Sequence, residues 1–246
     1  MRGEEDEGAP GRVMSVNIGT PIEVPHRGRM VSTGIFKSPV AGPLALRTLG
    51  LEGDGQADLR AHGGPDRAAY VYRWEDYEWW MEALGHRLAP GELGENLTVE
   101  GLGGLDIHVG DRLRLGEALI EASSPRVPCF KLGIRMGDAS FPARFRAAGR
   151  SGFYARVIEE GRVAPGDGVE RVVHRSDLPL VEDLAALMAA GGGDLAALRR
   201  AVAAPPLPEG WRSWCRERIA RIETGSDDGV DGAAAVEPAE PGARSG

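Results

Sequence analysis

The residue in this sequence that is best suited to carry out chemistry is Cys129. It lies in the segment Ser124-Pro125-Arg126-Val127-Pro128-Cys129-Phe130-Lys131. Two prolines restrict the backbone and end the preceding strand, so the thiol is expected on a rigid loop. The flanking Arg126 and Lys131 favour the thiolate, the form that binds metals or attacks electrophiles. A lone cysteine is more often a small buried apolar residue, and that interpretation stays open. Cys215 lies on a predicted helix without such flanks and is expected to be structural.

A basic stretch surrounds Cys129. Residues 125–156 carry seven cations against one acid, Asp138, in a chain whose net charge is -8. The terminal segments, residues 1–12 and 225–246, hold -2 and -4 of that charge, which leaves about -2 for the body. A basic patch inside an acidic protein fits a small anionic ligand better than a nucleic acid, although an arginine-rich solvated face gives the same pattern.

Three further segments contain candidate binding residues. The first joins Gly53-Asp54-Gly55-Gln56-Ala57-Asp58 to His62-Gly63-Gly64-Pro65-Asp66-Arg67, where dense glycines let backbone N–H groups approach an anion and His62, Asp66 and Arg67 add charge. It could equally be a turn-rich loop. The second is Gly94-Glu95-Asn96-Leu97-Thr98, a polar entry to a strand. The third is residues 149–156, where Tyr154 and Arg156 alternate onto one face and Arg150 and Arg156 could clamp an oxoanion.

The elements that must position these residues are mainly strands. Short β-favouring runs broken by glycine and proline fill residues 13–175 and predict a β-barrel, mainly β with some α. Residues 1–12 and 224–246 contain almost no large apolar residues and are expected to be disordered tails. The predicted strands are Val13–Ile18, Gly34–Phe36, Ala69–Tyr72, Asn96–Val99, Asp111–Leu115, Ala118–Ser123, Phe153–Ile158 and Val169–Val173.

Helical patterns occur in two places. One helix, Trp74–Leu84, interrupts the sheet, with Trp74, Tyr77 and Met81 at helical spacing. Residues 176–223 then form a small three-helix domain that must pack on the barrel or on a second subunit, since so few residues cannot bury a core alone. Its predicted helices are Leu180–Ala190, Asp194–Ala203 and Glu209–Ile222.

Several common sites are missing from the sequence. It has no G-x-G-x-x-G, G-x-x-x-x-G-K-[ST] or H-E-x-x-H motif, and its two cysteines cannot hold a four-thiolate iron–sulfur cluster. Redox chemistry would therefore need electrons from another protein. No apolar run approaches the roughly 20 residues that span a membrane, and the N-terminus is acidic rather than leader-like. A cytoplasmic location is expected.

Taken together and in this order, the four segments resemble the MOSC domain family, named for the C-terminal domain of molybdenum cofactor sulfurase. More closely, the chain resembles bacterial stand-alone MOSC proteins that confer resistance to 6-N-hydroxylaminopurine. The similarity covers roughly residues 13–222 and includes the tail, which looks like that group's small three-helix domain. The quoted motifs are GDGQAD, HGGPDRAAY, GENLT, SPRVPC and GRSGFYARV.

The resemblance implies a β-barrel that binds a pyranopterin molybdenum cofactor, with Cys129 as a molybdenum ligand. The implied reaction is a two-electron reduction of an N-hydroxylated base or related compound to the amine. His62 and Tyr154 are our own hypothesis for the proton donors. The residues expected to bind the cofactor are Gly63, Gly64, Asp66, Arg67, Asn96, Arg126, Lys131, Arg150 and Arg156.

Partners and alternatives follow from the same reasoning. We expect an electron-donor protein, either an NAD(P)H-dependent reductase or a small redox carrier, a small N-hydroxylated substrate and a possible homodimer, with no nucleic acid and no membrane. One alternative is a sulfur carrier in which Cys129 holds a persulfide. Another is a non-catalytic module that stores the cofactor or binds nucleic acid, which the overall acidity opposes.

Overall fold

The computed structural model describes residues 11–55, 64–102 and 105–225. Within them are thirteen strands and six α-helices, in keeping with the predicted mainly β architecture. The strands are β1 Gly11–Ile18, β2 Ile22–His26, β3 Arg29–Thr33, β4 Ser38–Pro39, β5 Leu44–Arg47, β6 Gly50–Leu51, β7 Ala69–Arg73, β8 Leu97–Glu100, β9 Arg112–Leu115, β10 Ala118–Pro125, β11 Phe153–Glu159, β12 Gly161–Val163 and β13 Gly168–Val173. The helices are α1 Trp74–Leu84, α2 Phe130–Met136, α3 Phe141–Ala147, α4 Val181–Ala189, α5 Leu195–Val202 and α6 Glu209–Glu223.

Seven of the described strands close into a barrel in the order β13, β9, β10, β11, β7, β8, β1. The barrel closes where β1 meets β13, with Gly11 opposite Val169. All its pairs are antiparallel except β7 with β8, which run parallel. A parallel pair needs a crossover connection, and α1 supplies it. The predicted β-barrel is therefore confirmed.

Two apolar clusters hold the structure together. The larger fills the barrel and continues into α4, α5 and α6, so the barrel and the three C-terminal helices share one core. It explains why β10 is buried along its whole length, since one face lines the barrel and α4 packs beside it. The second cluster is aromatic and joins α1, α2 and α3 to β7 through Tyr72, Trp80 and Phe145. The Trp80 and Phe145 rings stack with an interplanar angle of 2°.

The structure corrects four sequence predictions. Gly34–Phe36 is not a strand; the strand is β3, which ends at Thr33 and forms a hairpin with β2. The strand before Cys129 does not end at Ser123 but runs to Pro125, which pairs with Phe153 at the end of the ladder, where a missing N–H costs little. Two more helices, α2 and α3, follow Cys129. The first strand begins at Gly11, inside the expected tail; residues 1–10 and 226–246 lie outside the described residues.

The described residues contain no helix that is both long and apolar enough to cross a membrane.

Candidate functional site

One cavity opens at an end of the barrel and receives residues from six separate parts of the chain. Four of its walls come from barrel strands or from the chain beside them, namely β7, β8, β10 and β11. The loop after β3 and the turn after β6 complete it. The lining residues are Thr33, Gly34, Ile35, Lys37, Asp54, Gly55, Arg67, Tyr70, Gly94, Asn96, Arg126, Val127, Cys129, Lys131 and Tyr154.

Cys129 lies at the junction of a strand and a helix. It follows β10 by four residues, has extended backbone (φ -109°, ψ 175°) and is the N-cap of α2, where its carbonyl accepts a hydrogen bond from the Leu132 N–H at 3.0 Å. Its side chain is half-buried and borders the cavity. Because this side chain is only half-buried and borders a cavity, it is not enclosed in apolar packing.

Two arginines reach the cavity from the barrel side, and both are almost fully buried: Arg67 is 7% exposed and Arg126 6%. The Arg126 guanidinium lies over the Tyr70 ring, 5.0 Å from its centroid, and over Phe145 at 5.5 Å. Arg67 lies 5.5 Å from the Tyr154 centroid. Aromatic faces stabilise a cation that burial removes from water, so these rings hold positive charge at the cavity wall.

A buried ion pair forms another part of the wall. The Lys37 Nζ contacts both oxygens of Asp54, at 2.5 and 2.6 Å, and the two side chains are 9% and 4% exposed. Asp54 also accepts hydrogen bonds from the Gly19 N–H and from Asn96 Nδ2, each at 2.9 Å. Burial lowers the pKa of the Lys37 ammonium, and the charge of Asp54 opposes that shift.

Asn96 links this ion pair to the barrel. Its Oδ1 accepts a hydrogen bond from the Tyr70 N–H at 3.1 Å, and its Nδ2 donates to the Asn17 carbonyl at 3.3 Å as well as to Asp54. The loop before Asn96 can approach Ile35 closely because Gly94 has φ 84° and no Cβ. A Cβ at that position would lie 2.7 Å from Ile35 Cγ1. Glycine is suited to such a position.

Glu95, next to Asn96, is fully buried behind this wall. Its Oε1 accepts hydrogen bonds from the Gly91 N–H at 2.6 Å and from the Tyr77 and Thr98 hydroxyls at 2.8 Å each. Burial raises the pKa of Glu95, and these three donors act against the shift. Burial also raises the pKa of Tyr70, whose hydroxyl donates to the Ser151 carbonyl at 2.8 Å.

The charge of the wall is mostly positive. Among the described lining residues, four are cationic and one, Asp54, is acidic. Cations gathered in a partly enclosed cleft raise the local concentration of anions and stabilise phosphate or carboxylate groups. The cavity is therefore suited to an anionic ligand that also contacts a thiol.

The structure brings together six of the residues singled out from the sequence. Cys129, Arg126, Lys131, Arg67, Asn96 and Tyr154 all line the cavity. The sequence reasoning missed Lys37 and Tyr70 and named Asp54 only as part of a glycine-rich segment. His62 and Gly63 lie outside the described residues.

Arg150 is not brought to the cavity lining, contrary to the expected oxoanion clamp. Its Nη1 donates to Asp76 at 2.5 Å, and its guanidinium lies 4.8 Å from the Trp79 ring centroid. Gly64 (φ 94°) begins the short 3₁₀ turn Pro65–Arg67 and is likewise outside the lining.

Arg156 also lies outside the cavity lining. It donates to Asp66 at 2.8 Å, to Glu121 at 2.7 Å and to the Pro206 carbonyl at 2.7 Å, and so ties the barrel to the C-terminal helices. Asp66 is engaged in this pair and does not line the cavity. The acidic partners of Arg150 and Arg156 lie outside residues 125–156, so the charge of that stretch alone does not reveal these ion pairs.

Comparison with known proteins agrees with this geometry. Residues 58–170 match the model of the MOSC domain. The protein YflK of Bacillus subtilis (strain 168), itself uncharacterized, is 39% identical over 201 residues, which are 82% of this chain and 91% of YflK. The crystal structure of YiiM from Geobacillus stearothermophilus superposes with a TM-score of 0.72 at 30% identity and covers 85% of this chain and 100% of that one. The chain belongs to the MOSC domain family.

One further relative is a larger protein. A protein of Gibberella moniliformis (strain M3125 / FGSC 7600) named "Reductase" is 31% identical over 164 residues, which are 65% of this chain but only 29% of the reductase. The matched region thus occurs both as most of a protein, in YflK, and as one part of a longer protein.

Proposed function

We propose that the cavity binds a pyranopterin molybdenum cofactor, with Cys129 as a ligand of the metal, and that the protein reduces N-hydroxylated compounds to amines. The observation that carries the proposal is the meeting of a half-buried thiol with Arg67, Arg126 and Lys131 in one cavity. The name of the fungal relative supports a reductive reaction.

The residues present fit such a group. A cysteine thiolate is a soft ligand, and the dithiolene of the cofactor brings further sulfur ligands of its own, so one cysteine is enough. The cofactor carries a phosphate, for which buried guanidinium groups are good partners.

The residues that line the cavity would have separate roles in binding the cofactor and the substrate. Cys129 holds the metal, Arg67, Arg126 and Lys131 neutralise the anionic parts of the ligand, and Tyr154 borders the space left for a substrate. When bound, the cofactor supplies the two electrons that N–O cleavage needs. Those electrons come from a separate protein, an NAD(P)H-dependent reductase or a small redox carrier.

The first test is metal content. The protein is made in a host with a complete molybdenum cofactor pathway, and molybdenum and released pterin are quantified per chain. We expect near-stoichiometric molybdenum in the wild type, loss in C129S, and wild-type content in the matched control C215S. Wild-type protein without molybdenum, or C129S with full content, would contradict the proposal.

The second test is turnover. Reduced methyl viologen replaces the unidentified electron donor, and 6-N-hydroxylaminopurine is the test substrate. Formation of adenine by loaded wild-type protein, and its absence with C129S, is the expected result. A labile sulfur adduct on Cys129 in mass spectra of molybdenum-free protein would instead favour the persulfide carrier.

A further inference from the structure

The two lysines of this chain lie at the same cavity. Of 29 lysine and arginine residues in the whole sequence, only Lys37 and Lys131 are lysines, and both line the cavity beside Cys129. Arginine is otherwise the cation that this protein uses everywhere. Lysine differs from arginine in one chemically decisive respect, because an ammonium can release its proton in a protein and a guanidinium cannot.

Lys37 is held in a defined position. Two of its hydrogen-bonding directions are used by the two oxygens of Asp54, at 2.5 and 2.6 Å. Asp54 is itself fixed by the Gly19 N–H and Asn96 Nδ2. An ammonium has three N–H donors, so one remains for a group bound in the cavity that Lys37 lines.

The charges around Lys37 tune its proton affinity. Burial is the largest influence and lowers the pKa of Lys37, while the carboxylates of Asp54 and Glu95 raise it. The other ionisable groups on the cavity wall are Cys129, Tyr70, Tyr154, Lys131, Arg67 and Arg126. The Asp54 carboxylate thus favours the charged form of Lys37, while burial makes its proton less strongly held than in water.

We propose that Lys37 is the proton donor to the oxygen that leaves the substrate, and that Asp54 is its positioning residue. This inference rests on the proposed function. In the overall reaction an N-hydroxylated compound takes two electrons and two protons and gives an amine and water. Lys37 supplies one proton to the departing oxygen as the N–O bond breaks, becomes a neutral amine, and regains its proton from solvent. The second proton, which completes the product amine, comes from solvent. The electrons come from the reductase by way of the bound cofactor.

The decisive variant is Lys37→Arg, which keeps the positive charge and removes the releasable proton. We expect K37R to fold and to contain as much molybdenum as the wild type, while turnover of 6-N-hydroxylaminopurine with reduced methyl viologen falls by about 100-fold or more, the usual effect of losing a general acid. We expect the activity of the wild type to decline at alkaline pH as Lys37 loses its proton, and the matched substitution K131R should retain that decline. A loaded K37R with turnover close to the wild type would overturn the inference and leave the proposed function intact.

Asp54→Asn tests the positioning role. Removing the carboxylate takes away a charge that raises the pKa of Lys37, so the alkaline decline in turnover should move to lower pH. A merely structural role of Asp54 would change turnover without moving the pH profile. An unmoved profile in loaded D54N would therefore contradict the assignment of Asp54.

A second measurement needs no cofactor. Lysine-selective ¹³C labelling gives a spectrum with just two lysine Cε signals, which K37R assigns. We expect the Lys37 signal to titrate below the roughly 10.4 that is usual for lysine, and lower still in D54N. Titration of Lys37 at or above the usual value would overturn the inference. Absence of molybdenum from wild-type protein would instead refute the proposed function, and this inference with it.

Discussion

The two cysteines of the chain show how position decides what a thiol can do. Cys215 lies inside α6, is 0% exposed and shares an apolar cluster with Leu198 and Trp211. Burial raises the pKa of its thiol to about 11, although Arg216 opposes the shift. Cys129 lies where β10 gives way to α2, half-buried at a cavity with four cations. The same side chain is packing in the helical region and a candidate ligand at the barrel end.

Alkylation should show the largest difference between the two sites. In native protein at pH 8 we expect iodoacetamide to modify Cys129 at least about 100 times faster than Cys215. With a pKa of about 11, only about 0.1% of Cys215 is thiolate at that pH, and the side chain is also covered. Peptide mass spectrometry over time measures both rates, and the denatured protein is the control in which they should converge. Comparable native rates would remove the contrast.

Matched serine substitutions should have the opposite order of effect: Cys129 is the more reactive thiol, but replacing Cys215 should cost more stability. C215S places a hydroxyl in apolar packing, and we expect it to lower the free energy of unfolding by about 1–3 kcal/mol. C129S, at the cavity, should change it by less than about 0.5 kcal/mol. Urea unfolding of metal-free protein followed by tryptophan fluorescence gives both values. A larger loss in C129S than in C215S would mean that Cys129 is structural.

A smaller effect is expected from Glu95, the acid buried behind the cavity wall, on the pH dependence of the free energy of unfolding. Because burial raises the folded-state pKa of Glu95, its contribution to stability is fully present below the unfolded value of about 4.3 and is lost as pH rises through the raised pKa. The unfolding free energy of the wild type relative to E95Q should therefore decline with increasing pH over that window, at a limiting slope of about 1.4 kcal/mol per pH unit. Denaturation curves of both proteins from pH 4 to 8 measure the decline. A flat difference would show that burial does not disfavour the charged form of Glu95.

The sequence predicted helices and strands best where the segment was long enough for its pattern of apolar residues to repeat. The helix Trp74–Leu84 has the predicted bounds, and seven of the eight predicted strands are present with small shifts at their ends. The helices α2 and α3 have seven residues each, too few for an apolar face to repeat. Gly137, with φ 65°, ends α2, and Pro142 opens α3, so end signals were available where periodicity was not.

The site was predictable to the extent that its chemistry is local. Arg126, Cys129 and Lys131 are close in sequence, and they meet in the cavity as expected. The Lys37–Asp54 pair joins residues that only the fold brings together, although the scarcity of lysine was visible in the sequence. The reverse error affected Arg150 and Arg156, whose acidic partners Asp76, Asp66 and Glu121 come from α1, the turn before β7 and β10.

The pairing of the first barrel strand with the last has a consequence for synthesis on the ribosome. Gly11 finds its partner only when Val169 has left the exit tunnel, so the barrel remains open while most of the chain is translated. Its interior strands are exposed during that time, which makes the nascent chain a natural client for chaperones. The cavity walls on β7, β8, β10 and β11 belong to the barrel that this last pairing closes.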